Sequence, residues 1–183
     1  MAAEKSPDFK NYFCCVSRMS GDKDIKTVLD AFDLFYTHYH DMNLVLVGGG
    51  DKLQEYKNYA NRLSAAKKIN FVGAQQNPYV YMAHARANVL SSYGEGLAMV
   101  LVESQSLGVV NIASNCKYGP REILLNGCGG LLFTPGNAHE LTKCMVDVYE
   151  NNVDIKKMVN ESSKALWRFD KDEIIKQIKF QIS

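Results

Sequence analysis

From Tyr12 onward, short apolar runs of strand type alternate with segments whose apolar residues recur at helical spacing. The runs predict strands at about Tyr12 to Ser17, Leu44 to Val47, Ile69 to Val72, Ala87 to Ser91, Val109 to Ala113 and Gly130 to Phe133. Between the first two, Ile25, Val28, Leu29, Phe32 and Phe35 define one buried helical stripe; Leu53, Tyr56, Tyr59, Ala60 and Leu63 define the next. Further helices are expected over Pro78 to His84, Ala98 to Leu107, Pro120 to Leu125 and His139 to Glu150, then two more helical segments with no strand between them. This alternation is the signature of a parallel sheet covered on both faces. The expected fold class is therefore α/β: a Rossmann-like, doubly wound parallel sheet of about six strands. In such sheets the ligand lies at the carboxyl ends of the strands, so the loops there are where chemistry is to be sought.

Composition narrows the picture. The chain has 183 residues, 46% hydrophobic and 22% charged, enough for one good core. Lys plus Arg total 21 against 20 for Asp plus Glu. No electrostatic case for a nucleic-acid partner follows, and any anion site must be local. No apolar run reaches the roughly 18 residues of a membrane-spanning helix, and the start MAAEKSPDFK has no apolar secretory segment, so a cytoplasmic location is expected. Residues 1–10, with Pro7 and mixed charge, read as a linker or disordered arm, and 11–183 as the folded domain. The five cysteines fall in no metal-ligand spacing and read as reduced thiols.

The loop after the first strand, SRMSGDKDIK, places Arg18 and Lys23 five residues apart before a helix start. Two cations there could clamp a diphosphate, and could equally be solvated loop charges. Asp22 and Asp24 form a D-x-D string that reads as helix capping rather than as a metal site. The second strand ends in LVLVGGGDK, where Gly48 and Gly49 let the backbone approach a ligand or turn tightly. That cluster fails both the P-loop and the G-x-G-x-x-G dinucleotide patterns. After the third strand, Gly73 and Asn77-Pro78 suit a base lying on exposed backbone, or a plain turn.

The most informative stretch is SSYGEGLAMVLVESQSLG after the fourth strand. Gly94 and Gly96 free the backbone to bring the N–H groups of Leu97, Ala98 and Met99 toward an anion at the start of a helix. Glu103, seven intervening residues beyond Glu95, is a carboxylate in an otherwise apolar run and calls for a partner, either ligand hydroxyls or a protein donor.

Taken in order, the Arg18–Lys23 pair, the GGG strand end, the FVG run, the Glu–seven–Glu element and GPREIL at Gly119 to Leu124 resemble the C-terminal domain of family-4 glycosyltransferases. The resemblance covers about Tyr12 to Asp170. It implies one half of a GT-B architecture, in which two Rossmann-like domains face each other, and a retaining hexosyltransferase. Carried over by position, Arg18 and Lys23 match the pair on the donor diphosphate and Glu95 the carboxylate near the transferred sugar. Glu103 matches the ribose ligand, and the backbone from Gly96 to Val100 the loop that receives sugar and phosphate. Ala98 stands where the family often has proline or glycine.

The resemblance further implies a nucleotide-diphosphate sugar as substrate, UDP or GDP linked, with no required metal or other cofactor. It implies a surface-glycan or lipid-linked acceptor, as in capsular and lipopolysaccharide synthesis, held by an N-terminal domain or partner chain that these residues do not include. Peripheral membrane association at the inner face would come through that half. Rival readings are half of a nucleotide-sugar 2-epimerase and a non-catalytic nucleotide-binding subunit; a dinucleotide oxidoreductase is disfavoured by the glycine pattern.

Overall fold

The computed structural model describes residues 8–173. Six strands form one sheet: β1 (Tyr12–Val16), β2 (Asn43–Val47), β3 (Ile69–Gly73), β4 (Ala87–Leu90), β5 (Asn111–Ser114) and β6 (Leu131–Phe133). Every pairing is parallel, in the order β3-β2-β1-β4-β5-β6. The chain reverses direction across the sheet between β1 and β4, which opens a crevice at their carboxyl ends.

Alternation along β1 shows why the sheet is covered twice. Phe13 and Cys15 point to one face, where they meet Leu44 and Leu46 of β2 and the aromatic stripe of α1 (Ile25–Tyr36). Tyr12 and Cys14 point to the other, with Val45, Val47 and Met82. All five stripe residues of α1 are buried. The first face also carries α2 (Leu53–Ala60) and α6 (Ala138–Tyr149). The second carries α3 (Tyr79–Ala83), α4 (Met99–Ser106) and α5 (Pro120–Ile123). Helix α7 (Ile155–Lys164) lays Ile155, Met158 and Val159 on the first core, and its Ser162 hydroxyl reaches the Gly129 carbonyl and Gln105 of α4.

The strands sit within about two residues of their expected places, whereas α2 ends at Ala60, three residues short of the Leu63 expected in its stripe. Among the strands the largest shift is at β5, which starts at Asn111 rather than Val109. The Val109 amide closes the turn after α4 by donating to the Ser104 carbonyl, and so is lost to the ladder. Of the expected arm, residues 1–7 lie outside the described residues, but Phe9 packs edge-on against Tyr12. The second of the two C-terminal helical segments falls largely outside the described residues as well.

Burial settles the cysteines. Cys14 and Cys15 occupy opposite faces of β1, and burial pushes the Cys15 thiol up to about 12 and the Cys14 thiol well above its usual value. All five cysteines are free, and Cys128 is the exposed one among them.

Candidate functional site

The loops after β1 and β4 meet at the crevice and are stitched together. The Ser92 hydroxyl donates to the Asp22 carbonyl at 3.1 Å and the Tyr93 amide to the same oxygen at 3.2 Å. Ser92 is itself anchored to β5, its amide donating to the Ser114 hydroxyl at 2.9 Å and its carbonyl accepting from that hydroxyl at 2.8 Å. This stitching brings the Lys23 ammonium 2.7 Å from Glu95 Oε1, across a separation of 72 residues, with side chains only 17% and 10% exposed. Sequence reasoning assigned these two residues to different parts of a ligand; the structure makes them one ion pair.

A cleft of about 330 Å³ opens beside that pair, lined by Arg18, Lys23, Glu95 and the stretch from Leu97 to Val100. A second, of about 300 Å³, lies beside it over Gly48, Gly49, Gln75 and Pro78. The segment from Val16 to Arg18 lines both. Arg18 is exposed and its guanidinium has no hydrogen-bond or ion-pair partner among the described residues, so it is available at the junction of the two clefts.

Helix α4 begins at this cleft without a side-chain cap, unlike α6 and α7, which are capped by Asn137 and Asp154. An uncapped start leaves backbone N–H groups for an outside acceptor. The cradle is narrower than the sequence suggested, because the Met99 amide closes a tight turn onto the Leu97 carbonyl at 2.8 Å. The amides of Leu97 and Ala98 meet no acceptor among the described residues. Ala98 is buried, whereas Leu97 and Met99 expose their side chains at the rim.

The capping expectation for Asp24 is corrected. Asp24 does not cap α1: its side chain makes no cap hydrogen bond, its backbone is left-handed at φ 41°, and the carboxylate is buried. It accepts from the Ser91 hydroxyl at 3.4 Å and holds the Tyr93 phenol above its usual value after burial itself. Asp22 remains exposed, and the Ser20 hydroxyl bonded to it holds its carboxyl below the usual carboxylate range. Glu103 is half-buried, because α4 turns it to the edge toward α3. Its contact there is the Tyr79 hydroxyl at 3.5 Å, a long bond next to Pro78 of the second cleft.

Gly48 and Gly49 do not lie open to a ligand along their whole length. A Cβ on Gly48, at φ 137°, would sit 1.9 Å from the Ser17 carbonyl oxygen. This close approach lets Ser17 donate to the Val47 carbonyl and Met19 to the Gly49 carbonyl, holding the Arg18 loop in place. Gly73 accepts from the Gly48 amide at 2.8 Å and continues the same backbone layer. The residues that sequence reading missed, Asp24, Ser92 and Ser114, are small polar groups whose partners lie far away in the chain.

The family model for glycosyl transferases group 1 matches residues 1–165. The chain belongs to this family. It is similar to a lipopolysaccharide 1,6-galactosyltransferase of Salmonella typhimurium, 31% identical over 115 residues, which cover 61% of the chain and 32% of the relative. It is also similar to an N-acetylgalactosaminyltransferase of Campylobacter jejuni acting on a diphospho-undecaprenol-linked sugar, 26% identical over 89% of the chain and 44% of the relative. Among solved structures, the lipopolysaccharide outer core galactosyltransferase WaaB superposes with a TM-score of 0.82 at 24% identity, over 97% of the chain and 50% of WaaB. Anabaena HepE, solved with UDP, superposes with a TM-score of 0.84 at 23% identity, over 93% of the chain and 48% of HepE. These likenesses establish the Rossmann-like fold of GT-B glycosyltransferases, and the chain spans half or less of each of these relatives. No helix among the described residues is long and apolar enough to cross a membrane.

Proposed function

We propose that these residues form the donor-binding half of a retaining hexosyltransferase of surface polysaccharide or lipopolysaccharide synthesis, with a UDP-sugar as donor. The observation that carries the reading is the convergence of Arg18, the Lys23–Glu95 pair and the uncapped start of α4 on one crevice at the reversal of the sheet. Family membership supports sugar transfer, and the UDP bound in HepE supports uridine over guanosine.

In this reading the base and ribose occupy the cleft over Gly48 and Gly49, beside the backbone of Gly73, with Glu103 taking the ribose hydroxyls. The diphosphate lies between Arg18, Lys23 and the amides of Leu97 and Ala98, and Glu95 holds the sugar hydroxyls. As the acceptor hydroxyl attacks from the face that the diphosphate leaves, negative charge builds on the departing oxygens. The Arg18 guanidinium, the Lys23 ammonium and two backbone donors at the crevice stabilise that charge. The same groups can neutralise it without a metal ion or other cofactor, and none is invoked. Lys23, already bonded to Glu95, links the two ends of the donor: a ligand that recruits the ammonium frees Glu95 for the sugar. The acceptor comes from a second domain or partner facing this crevice, since positioning its hydroxyl supplies much of the barrier reduction. The proposed location is the cytoplasm, at the inner face of the membrane where a lipid-linked acceptor would lie.

Titration by calorimetry tests the reading. UDP binds with a dissociation constant between about 1 mM and 1 μM, and NAD does not compete. Replacing Arg18 or Lys23 by Ala weakens UDP about 10- to 100-fold, the loss of one charge-assisted bond, and leaves uridine within about twofold. Equal losses for uridine and UDP, or binding of NAD in place of UDP, would discard it.

A further inference from the structure

A third cleft, of about 360 Å³, is walled by Gly96 and Leu97, next to Glu95 in the donor loop, and Leu97 lines the donor cleft as well. Its remaining walls come from the segment after β5 and from the turn after α5, and they bring Lys117, Tyr118, Arg121, Glu122 and Asn126 together. None of these has a part in the donor site described above.

Charge gives this cleft its character. Arg121 spends only its Nε, which donates to Asn115 Oδ1 at 2.9 Å. Its two terminal amino groups meet no acceptor among the described residues. The Lys117 ammonium lies 5.1 Å from the Tyr118 ring centroid. Neither cation forms an ion pair among the described residues, so the single carboxylate in the wall, Glu122, leaves them uncompensated.

The backbone of the cleft walls is strained on one side and packed against the donor loop on the other. Leu125 and Asn126 are consecutive left-handed residues, φ 54° and 56°, and a leucine there is a genuine outlier of the kind that collects at ligand-binding loops. At the opposite wall Gly119 presses on the donor loop so closely that a Cβ would lie 2.9 Å from the Gly96 carbonyl oxygen. Tyr118 and Leu97, 62% and 57% exposed, form an apolar lip of this cleft, and Leu97 also lines the donor cleft.

We propose that this cleft is a second anion site, which binds a phosphate or diphosphate group of the acceptor through Lys117 and Arg121. The forked guanidinium and the mobile ammonium supply the donors such a group requires. The apolar lip accepts the organic part attached to it, and the Gly96–Leu97 wall sets the acceptor beside the sugar. The acceptor role rests on the donor reading above; the anion site itself does not.

Pyrophosphate binding by the chain tests it, measured by calorimetry in two backgrounds. With the donor cleft filled by saturating UDP, and separately in the Arg18→Ala/Lys23→Ala variant, one pyrophosphate still binds. Adding Lys117→Ala and Arg121→Ala in either background weakens that binding at least tenfold, while UDP affinity of the otherwise unchanged chain stays within twofold. A chain that fails to bind UDP would sink the donor reading, but the Arg18→Ala/Lys23→Ala arm would still report on the second site. Farnesyl diphosphate bound at least tenfold more tightly than pyrophosphate identifies a lipid-borne group, and equal affinities identify a soluble phosphate ester. Loss of all pyrophosphate binding when the donor cleft is filled or disabled, or unchanged binding in the Lys117→Ala/Arg121→Ala chain, overturns the proposal.

Discussion

The glycines after β2 and those after β4 lie at the same end of the sheet, look alike in the sequence, and do opposite work. A Cβ at Gly48 would lie 1.9 Å, and at Gly50 2.5 Å, from backbone oxygens of the Arg18 loop. A Cβ at Gly94 or Gly96 would meet nothing within 4 Å. The first cluster is empty of side chains because another strand end fills the space, and the second because the space beside it is left open. One holds the Arg18 loop in place, and the other flanks Glu95 at the proposed donor site. A glycine cluster thus announces that side chains are unwanted, and only the packing tells whether protein or ligand is the reason.

The sharpest way to break this comparison is Gly48→Ala. The added methyl collides with a backbone carbonyl that cannot turn away, and the backbone at φ 137° suits no other residue. The expected cost is about 3 kcal/mol, on the scale of the larger overpacking losses. In a domain of this size that lowers the melting temperature by about 6 to 12 °C, read by circular dichroism. A change under about 2 °C would show that the two loops can separate and that the contact is not limiting.

A smaller loss is expected from the bond that joins the two glycine regions. Glu95→Ala leaves the Lys23 ammonium, 17% exposed, without its near partner. The cost is about 1 to 2 kcal/mol, below that of a fully buried pair because some solvent reaches both groups. Lys23→Met in the same chain should recover part of it, so a double-mutant cycle in urea should return a favourable coupling. Zero coupling would mean that the pair contributes nothing to the fold and that both groups are held for a ligand alone.

The smallest stability effect belongs to the open glycines. Gly96→Ala should change stability by less than about 0.5 kcal/mol, since its Cβ meets open space. Its effect appears in binding, where the methyl enters the proposed phosphate and sugar region and weakens UDP about tenfold. Unchanged UDP affinity together with unchanged stability would place the ligand elsewhere.

Much of this was legible in the chain before any packing was considered. Strand periods placed all six strands within about two residues, and helical periods located the main helices, because an apolar run buried on both faces and a stripe at helical spacing are local properties of the sequence. The positions of Arg18, Lys23 and Glu95 at strand ends were legible for the same reason. Their mutual bond was not: 72 residues separate Lys23 from Glu95, and they meet only because β1 and β4 are neighbours in the sheet. Asp24 was misjudged on local grounds, since an acid before a helix ordinarily caps it, whereas here the left-handed backbone turns the carboxylate inward to Ser91.

By itself, then, the sequence determined which segments become strands and helices, which residue types stand at the strand ends, and that no excess of either charge covers the chain, since each depends on neighbours a few residues away. The tertiary structure decided which strand ends become neighbours, whether the space beside a glycine is filled by protein or left open, and which cations of the described residues are left unpaired. Those outcomes depend on contacts between residues tens of positions apart, which strand order creates and no local pattern encodes.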